Sequence, residues 1–117
     1  MLRLILVLML GFTAGLGAQS ISTVRVAAAA NLSSFEQPLR RAFQQVYPND
    51  VLVLTFASSG ALVTQIENGA PYDIFLSADM GFAQKLYDDG FASSTVAPYA
   101  LGKLALLSTK NWRWDRA

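Results

Sequence analysis

The chain has 117 residues, 53% of them hydrophobic, and nine Lys and Arg residues against eight Asp and Glu give a formal charge of +1. Because these charges are interspersed, the sequence excludes the basic face that nucleic-acid binding requires, and equally a surface suited to anionic membranes. It contains no cysteine and no histidine, which excludes disulfides, metal sites built on these residues, and Ser-His-Asp or Cys-His catalysis. We therefore expect no catalytic residue and no directly coordinated metal.

The N-terminal residues have the pattern of a secretory signal peptide. Arg3 precedes an apolar run at residues 4–10, and small residues continue to Ala18. The apolar run is shorter than the roughly 20 residues of a transmembrane helix. We predict a signal peptide over residues 1–18 and export of the mature chain to the periplasm. About 100 residues then remain, enough for one small domain.

The first part of the mature region indicates a strand followed by a helix. Residues 24–30 predict the strand, and apolar residues at helical spacing between 32 and 46 predict a helix with one buried face. Asn31 or Ser33 is expected to cap this helix. Pro38 lies within it and requires a local adjustment, since proline has no N–H group.

The same alternation continues along the chain. The apolar run 51–56 is typical of a central parallel strand covered on both faces. Residues 60–68 predict a helix that buries Leu62, Val63 and Ile66 and ends at Gly69. Residues 73–77 predict a third strand. Asp79 is expected to cap a further helix, which buries Phe82, Ala83 and Leu86 and ends at Gly90. An extended segment follows from residue 96.

This order of elements predicts an α/β fold. Strands that alternate with helices pair in parallel through right-handed crossovers, which gives a doubly wound sheet with helices on both faces. Ligands of such sheets bind at the carboxyl ends of the strands, near the point where the strand order reverses.

Two of the predicted strand ends carry small neutral residues suited to an oxyanion. Residues 58–60 (Ser-Ser-Gly) follow the second strand, and Ala30 and Asn31 follow the first. The first N–H groups of a helix have no partner within it and carry partial positive charge, so they hold an anion without Lys or Arg. The sequence therefore predicts a small-oxyanion site. Asn31 serving only as a helix cap, and residues 58–60 forming only a tight turn, stay open as alternatives.

Two further groups of residues have a structural explanation. Asp73 and Asp79 form a candidate acid and base pair, but one precedes a strand and the other caps a helix. The side chains of Tyr72, Tyr87 and Tyr99 are expected to pack and not to bind ligand.

Four motifs in the same order resemble the periplasmic molybdate-binding proteins of ABC importers. They are VAAAANL at residues 26–32, FASSGAL at 56–62, QIENGAP with DIFLSAD at 65–71 and 73–79, and YALGKL at 99–104. The resemblance implies one lobe of a periplasmic-binding-protein type II-like fold, an incomplete form of a two-lobed receptor that grips its solute between the lobes.

The resemblance also implies how the chain is organised and what it binds. Residues 19–95 correspond to the first lobe, and residues 96–117 to a crossover strand and the start of a missing second lobe, against which Trp112 and Trp114 would pack. Asn31 and Ser59 stand where the family has oxyanion ligands, with Ala30, Ser58 and Gly60 as the supporting turns. The implied ligand is molybdate or tungstate, with no cofactor. The implied partner is an ABC permease in the cytoplasmic membrane, and the protein is expected to be a monomer.

Three other functions stay open. Sulfate or another small oxyanion would suit the same donors. A non-functional remnant that folds partly or not at all is the second alternative, and by itself the 117-residue chain is expected to bind molybdate weakly or undetectably. An exported α/β enzyme with Ser58 or Ser59 as nucleophile is disfavoured, because the G-x-S-x-G elbow and a histidine base are absent from the sequence.

Overall fold

The computed structural model describes residues 20–105, 107 and 109. The predicted signal peptide and both tryptophans lie outside the described residues, so the predicted domain boundaries stay predictions. In chain order the elements are β1 (Thr23–Ala29), a 3-10 helix (Ala30–Phe35), α1 (Glu36–Val46), β2 (Val51–Ala57), α2 (Ser59–Glu67), β3 (Ile74–Leu76) and α3 (Met80–Asp88). No helix within this part of the chain has the length and apolar character needed to cross a membrane.

The three strands form a parallel sheet in the order β2-β1-β3, which confirms the predicted α/β class. The chain passes from β1 to β2 on one side and then back across β1 to β3. Right-handed crossovers in opposite directions place α1 and α2 on opposite faces of the sheet. α1 packs on β2, whereas α2 packs on β1 and α3.

The central strand of this sheet is β1 and not β2 as predicted from the sequence. Val26, Ala27, Ala28 and Ala29 of β1 are all buried. β2 pairs only with β1 among the described residues, and Val51 and Val53 are 48% and 39% exposed. The apolar run of β2 suggested burial on both faces, but in the described sheet β2 has a neighbouring strand on one side, whereas β1 has one on each side.

Pro38 is accommodated by a change of helix type. The first turns after β1 form the 3-10 helix, and α1 begins only at Glu36. Pro38 therefore occupies the first turn of α1, where N–H groups have no partner inside the helix. The predicted caps were wrong, since neither helix start has a side-chain cap hydrogen bond and neither Asn31 nor Ser33 occupies the cap position of α1.

The predicted buried face of α1 is only partly covered. Leu39 and Phe43 are half-buried, while Phe35 and Val46 are 56% and 67% exposed. α1 lies over β2 at the side of the described sheet, which provides too narrow a surface to cover the whole apolar face.

Arg40 connects α1 to the outer side of β2. Its guanidinium group donates to the Glu36 carboxylate at 2.8 and 2.9 Å and to the carbonyl oxygen of Leu52 at 2.7 Å. The N–H of Val51 donates a hydrogen bond to the carbonyl oxygen of Ser22, the residue before β1. Since successive residues of a strand direct their backbone groups to opposite sides, the Leu52 carbonyl faces away from β1. Arg40 thus covers part of the outer edge of β2.

Asp73 forms two hydrogen bonds that hold the start of β3 against β1. Its Oδ2 atom accepts a hydrogen bond of 2.7 Å from the N–H of Arg25, and the N–H of Asp73 donates to the Arg25 carbonyl at 2.8 Å. This contact supports the structural explanation of Asp73.

α2 and α3 are joined by the ammonium group of Lys85. It donates hydrogen bonds to Asp89, at 2.6 Å, and to Glu67 at the end of α2. These hydrogen bonds, with Asp89 the larger cause, raise the pKa of Lys85 above its ordinary value, so its ammonium group is charged throughout the neutral range.

α2 ends at a glycine whose backbone conformation excludes most other residues. Gly69 has a φ angle of +88°, and its neighbour Ala70 donates to the Gln65 carbonyl at 2.9 Å. A side chain added there would meet no atom within 4 Å. We expect Gly69→Ala to lower the free energy of unfolding by about 1–2 kcal/mol, the cost of a left-handed conformation. Urea unfolding followed by circular dichroism measures this, and Gly69→Asn should lose less. Equal stability of the alanine variant would contradict the argument.

Candidate functional site

The carboxyl ends of the three strands surround one open depression of about 490 Å³. Its lining residues come from the end of β1, the start of the 3-10 helix, the start of α2 and the start of α3. They are Ala29, Ala30, Asn31, Ser58, Ser59, Gly60, Ala78 and Phe82. The five residues that the sequence singled out are therefore brought together at one edge of the sheet.

Ser59 is the first residue of α2 and one of the two buried polar residues identified in the described part of the chain, at 7% exposure. Its Oγ atom accepts a hydrogen bond of 3.0 Å from the backbone N–H of Ala78. A serine hydroxyl has one hydrogen to donate, and the described residues accept none from Ser59. Its donor is therefore available to a ligand in the depression.

Ser58 has a different role. It occupies the cap position of α2, and its Oγ atom accepts a hydrogen bond of 3.3 Å from the N–H of Ala61. Its carbonyl oxygen accepts from Leu62 at 3.0 Å. Since Ser58 satisfies the third N–H of α2, the free N–H groups at this helix start are those of Ser59 and Gly60.

Gly60 lies beside the aromatic wall of the depression. A Cβ atom built on it would lie 3.5 Å from the ring of Phe82. The sequence predicted that Phe82 is buried, but its side chain is 37% exposed and borders the depression. Of the predicted buried positions of α3, Leu86 is confirmed at 4% exposure.

Asn31 is exposed and borders the depression from the second position of the 3-10 helix. Within the described residues its side chain makes no hydrogen bond. The capping alternative for Asn31 is thus wrong, and its amide is available to a ligand as a donor.

The lining is electrically neutral. None of the eight residues that border the depression carries a charged side chain. The closest carboxylate in sequence belongs to Asp79, whose Oδ1 accepts from the N–H of Phe82 at 3.2 Å and caps α3, as predicted.

Sequence reasoning missed Ala78, Phe82 and the contact of Tyr99. Ala78 comes shortly after β3. Because the three strands are parallel, the end of β3 lies at the same edge of the sheet as the ends of β1 and β2. Tyr99, predicted to pack, is 52% exposed and donates its phenol O–H to the Ser77 carbonyl oxygen at 2.7 Å. No local pattern identifies this contact, since 22 residues separate its partners.

Comparison with known proteins defines the family. A family model described as bacterial extracellular solute-binding protein matches residues 24–112. The chain belongs to the bacterial extracellular solute-binding proteins. This name describes binding and not catalysis, in agreement with the sequence-based prediction of a non-enzyme.

The relatives of this solute-binding protein include molybdate-binding proteins. It is 36% identical over 97 residues to the molybdate-binding protein ModA of Azotobacter vinelandii, covering 80% of this chain and 37% of that protein. It is 42% identical over 79 residues to ModA of Escherichia coli, covering 68% of this chain and 30% of that protein. The chain thus spans about a third of the length of these relatives.

A solved structure has a similar fold. A substrate-binding domain assigned to a molybdenum ABC transporter of Clostridium difficile superposes on this solute-binding protein with a TM-score of 0.56 and 30% identity. The match covers 59% of this chain and 30% of that chain. It supports the predicted periplasmic-binding-protein-type lobe.

Proposed function

We propose that this solute-binding protein captures molybdate outside the cytoplasmic membrane for import by an ABC permease. The observation that carries the proposal is the neutral depression at the strand ends, where the hydroxyl of Ser59 and the first N–H groups of α2 are free to donate. The names of the relatives supply the identity of the anion.

The chemistry of the lining suits an anion without protons. Molybdate is a fully deprotonated tetrahedral dianion at neutral pH, so its oxygens accept hydrogen bonds and donate none. Ser59, Gly60 and Asn31 offer hydroxyl, backbone and amide donors that line the depression. A hydrogen bond to a charged group contributes about 1.5–3 kcal/mol, and a helix start adds about 0.3–2 kcal/mol.

The competing anions differ in whether they carry a proton. Hydrogen phosphate carries a proton and needs an acceptor such as a carboxylate, and no lining residue has one. Tungstate and sulfate are proton-free dianions and suit these donors as molybdate does. Tungstate is the second ligand that we propose, and sulfate is the competitor that the size of the site has to exclude.

The affinity of the described site is expected to be modest. Its donors line an open depression, so solvent reaches the anion from the remaining side and competes for its oxygens. We expect a dissociation constant on the order of 0.1–10 mM, which corresponds to a binding free energy of roughly 2.7–5.5 kcal/mol. The proposed place of action is the periplasm, and the proposed assembly state is a monomer.

The test is a titration of the ¹⁵N-labelled chain at pH 7, followed by amide chemical shifts. We expect molybdate and tungstate to shift the resonances of Asn31, Ser59 and Gly60 in a saturable way, with no comparable effect of phosphate or chloride. Absence of any shift at 10 mM molybdate would overturn the proposed function. Submicromolar affinity would contradict the argument from the open depression.

A further inference from the structure

Two hydrogen bonds near the depression belong to one peptide group. The phenol of Tyr99 donates to the carbonyl oxygen of Ser77 at 2.7 Å. The N–H of the same peptide group, which belongs to Ala78, donates to the Oγ atom of Ser59 at 3.0 Å. Tyr99 and Ser59 are thus connected through a single rigid unit, because a peptide group is planar.

This arrangement determines what the Ser59 hydroxyl does. The Oγ atom of Ser59 accepts a hydrogen bond from the N–H of Ala78, so the hydroxyl hydrogen of Ser59 points away from that amide. Ser59 also lines the depression. The hydroxyl hydrogen of Ser59 is therefore available to a ligand in the depression.

We propose that Tyr99 is a positioning residue, which through the Ser77–Ala78 peptide group holds the Ser59 hydroxyl as a donor to the oxyanion. The inference rests on the proposed function, since it concerns the same site. Hydrogen bonds in a chain polarise one another. Donation from Tyr99 to the Ser77 carbonyl makes the Ala78 N–H a stronger donor, which in turn strengthens donation by Ser59.

The hydrogen bond of Tyr99 also attaches the segment after α3 to the end of β3. Tyr99 belongs to residues 91–105, which form neither helix nor strand within the described part of the chain. Its phenol reaches from this segment to the end of β3, and residue 77 is itself buried at 7% exposure. Because coupling between two events is reciprocal, anion binding at Ser59 also strengthens the attachment of this segment.

The test compares Tyr99→Phe with Tyr72→Phe. Each substitution removes one phenol O–H, and Tyr72 donates to the Gln65 side chain at 2.8 Å, outside the lining of the depression. In the ligand-free chain we expect Tyr99→Phe to move the Ala78 amide proton upfield and to speed its exchange with solvent. We expect the dissociation constant for molybdate to rise about three- to tenfold. Tyr72→Phe should change neither.

A double-mutant cycle separates positioning from general support of the fold. In a Ser59→Ala background, Tyr99→Phe should weaken molybdate binding no further, because the group that it positions is gone. An equal loss in both backgrounds would overturn the inference. So would an unchanged Ala78 resonance in Tyr99→Phe, or a loss of affinity as large in Tyr72→Phe.

Failure of the proposed function can be distinguished from failure of the role proposed for Tyr99. If the unaltered chain shows no molybdate-dependent shifts, the function and this inference both fall. If the unaltered chain binds molybdate and Tyr99→Phe binds it equally well, only the role of Tyr99 falls. Thermal unfolding of each variant, expected to remain cooperative, verifies that the comparison is made between folded proteins.

Discussion

Ser59→Ala is expected to weaken molybdate binding by about one to two orders of magnitude. The substitution removes a hydroxyl donor to a charged acceptor, worth about 1.5–3 kcal/mol, and each 1.4 kcal/mol corresponds to a tenfold change in affinity. It also removes the acceptor that the buried Ser59 provides for the N–H of Ala78. Amide shift titration measures the dissociation constant, and urea unfolding measures the accompanying loss of stability.

Ser58→Ala is the matched control for this prediction. The hydroxyl of Ser58 accepts from the N–H of Ala61 and caps α2, so its loss should cost about 0.5–2 kcal/mol of stability. Molybdate affinity should change little. Ser59→Thr, which keeps a hydroxyl, should retain part of the affinity. A larger loss of affinity in Ser58→Ala than in Ser59→Ala would reverse the assignment of the two serines.

Leu62→Ala is expected to have the largest effect on stability. Leu62 is fully buried, one turn after Ser59 on α2, and is the largest completely buried side chain identified in the described part of the chain. Removing a buried leucine side chain to its Cβ atom costs about 2–5 kcal/mol. Since small domains have only about 5–15 kcal/mol of stability, a large fraction would be lost.

Urea unfolding followed by far-UV circular dichroism measures this effect. Val46→Ala is the control, because Val46 is also aliphatic and lies on a helix but is 67% exposed. Surface substitutions of this kind usually change stability by no more than about 0.5 kcal/mol. Similar losses for the two variants would contradict the location of the core beneath α2.

Local sequence patterns predicted the elements that hold the site. The Ser-Ser-Gly turn after an apolar run marked the start of α2, and Gly69 marked its end. Parallel pairing then brought Asn31 and Ser59 to one edge of the sheet, since both follow strands. These features depend on residues close together in the chain, where capping, turn and strand preferences act directly.

Contacts between distant residues could not be predicted in this way. The hydrophobicity of β2 exceeds that of β1, yet β1 is central, and its Ala27 and Ala28 are fully buried. The hydrogen bond from Tyr99 to Ser77 depends on how the segment after α3 returns to the end of β3. Side-chain preferences near Tyr99 contain no information about that path.

The contact between Arg40 and the Leu52 carbonyl protects one edge of the sheet against pairing with a further strand. A strand with unpaired backbone groups readily recruits another strand and so promotes aggregation, and a charged side chain at the edge opposes this. At β2 an incoming strand would have to displace a guanidinium group already held by Glu36. At β3, which pairs only with β1 among the described residues, no such obstacle is observed. Of the two edges of the described sheet, β2 is therefore the one that a charged side chain protects against pairing with a further strand.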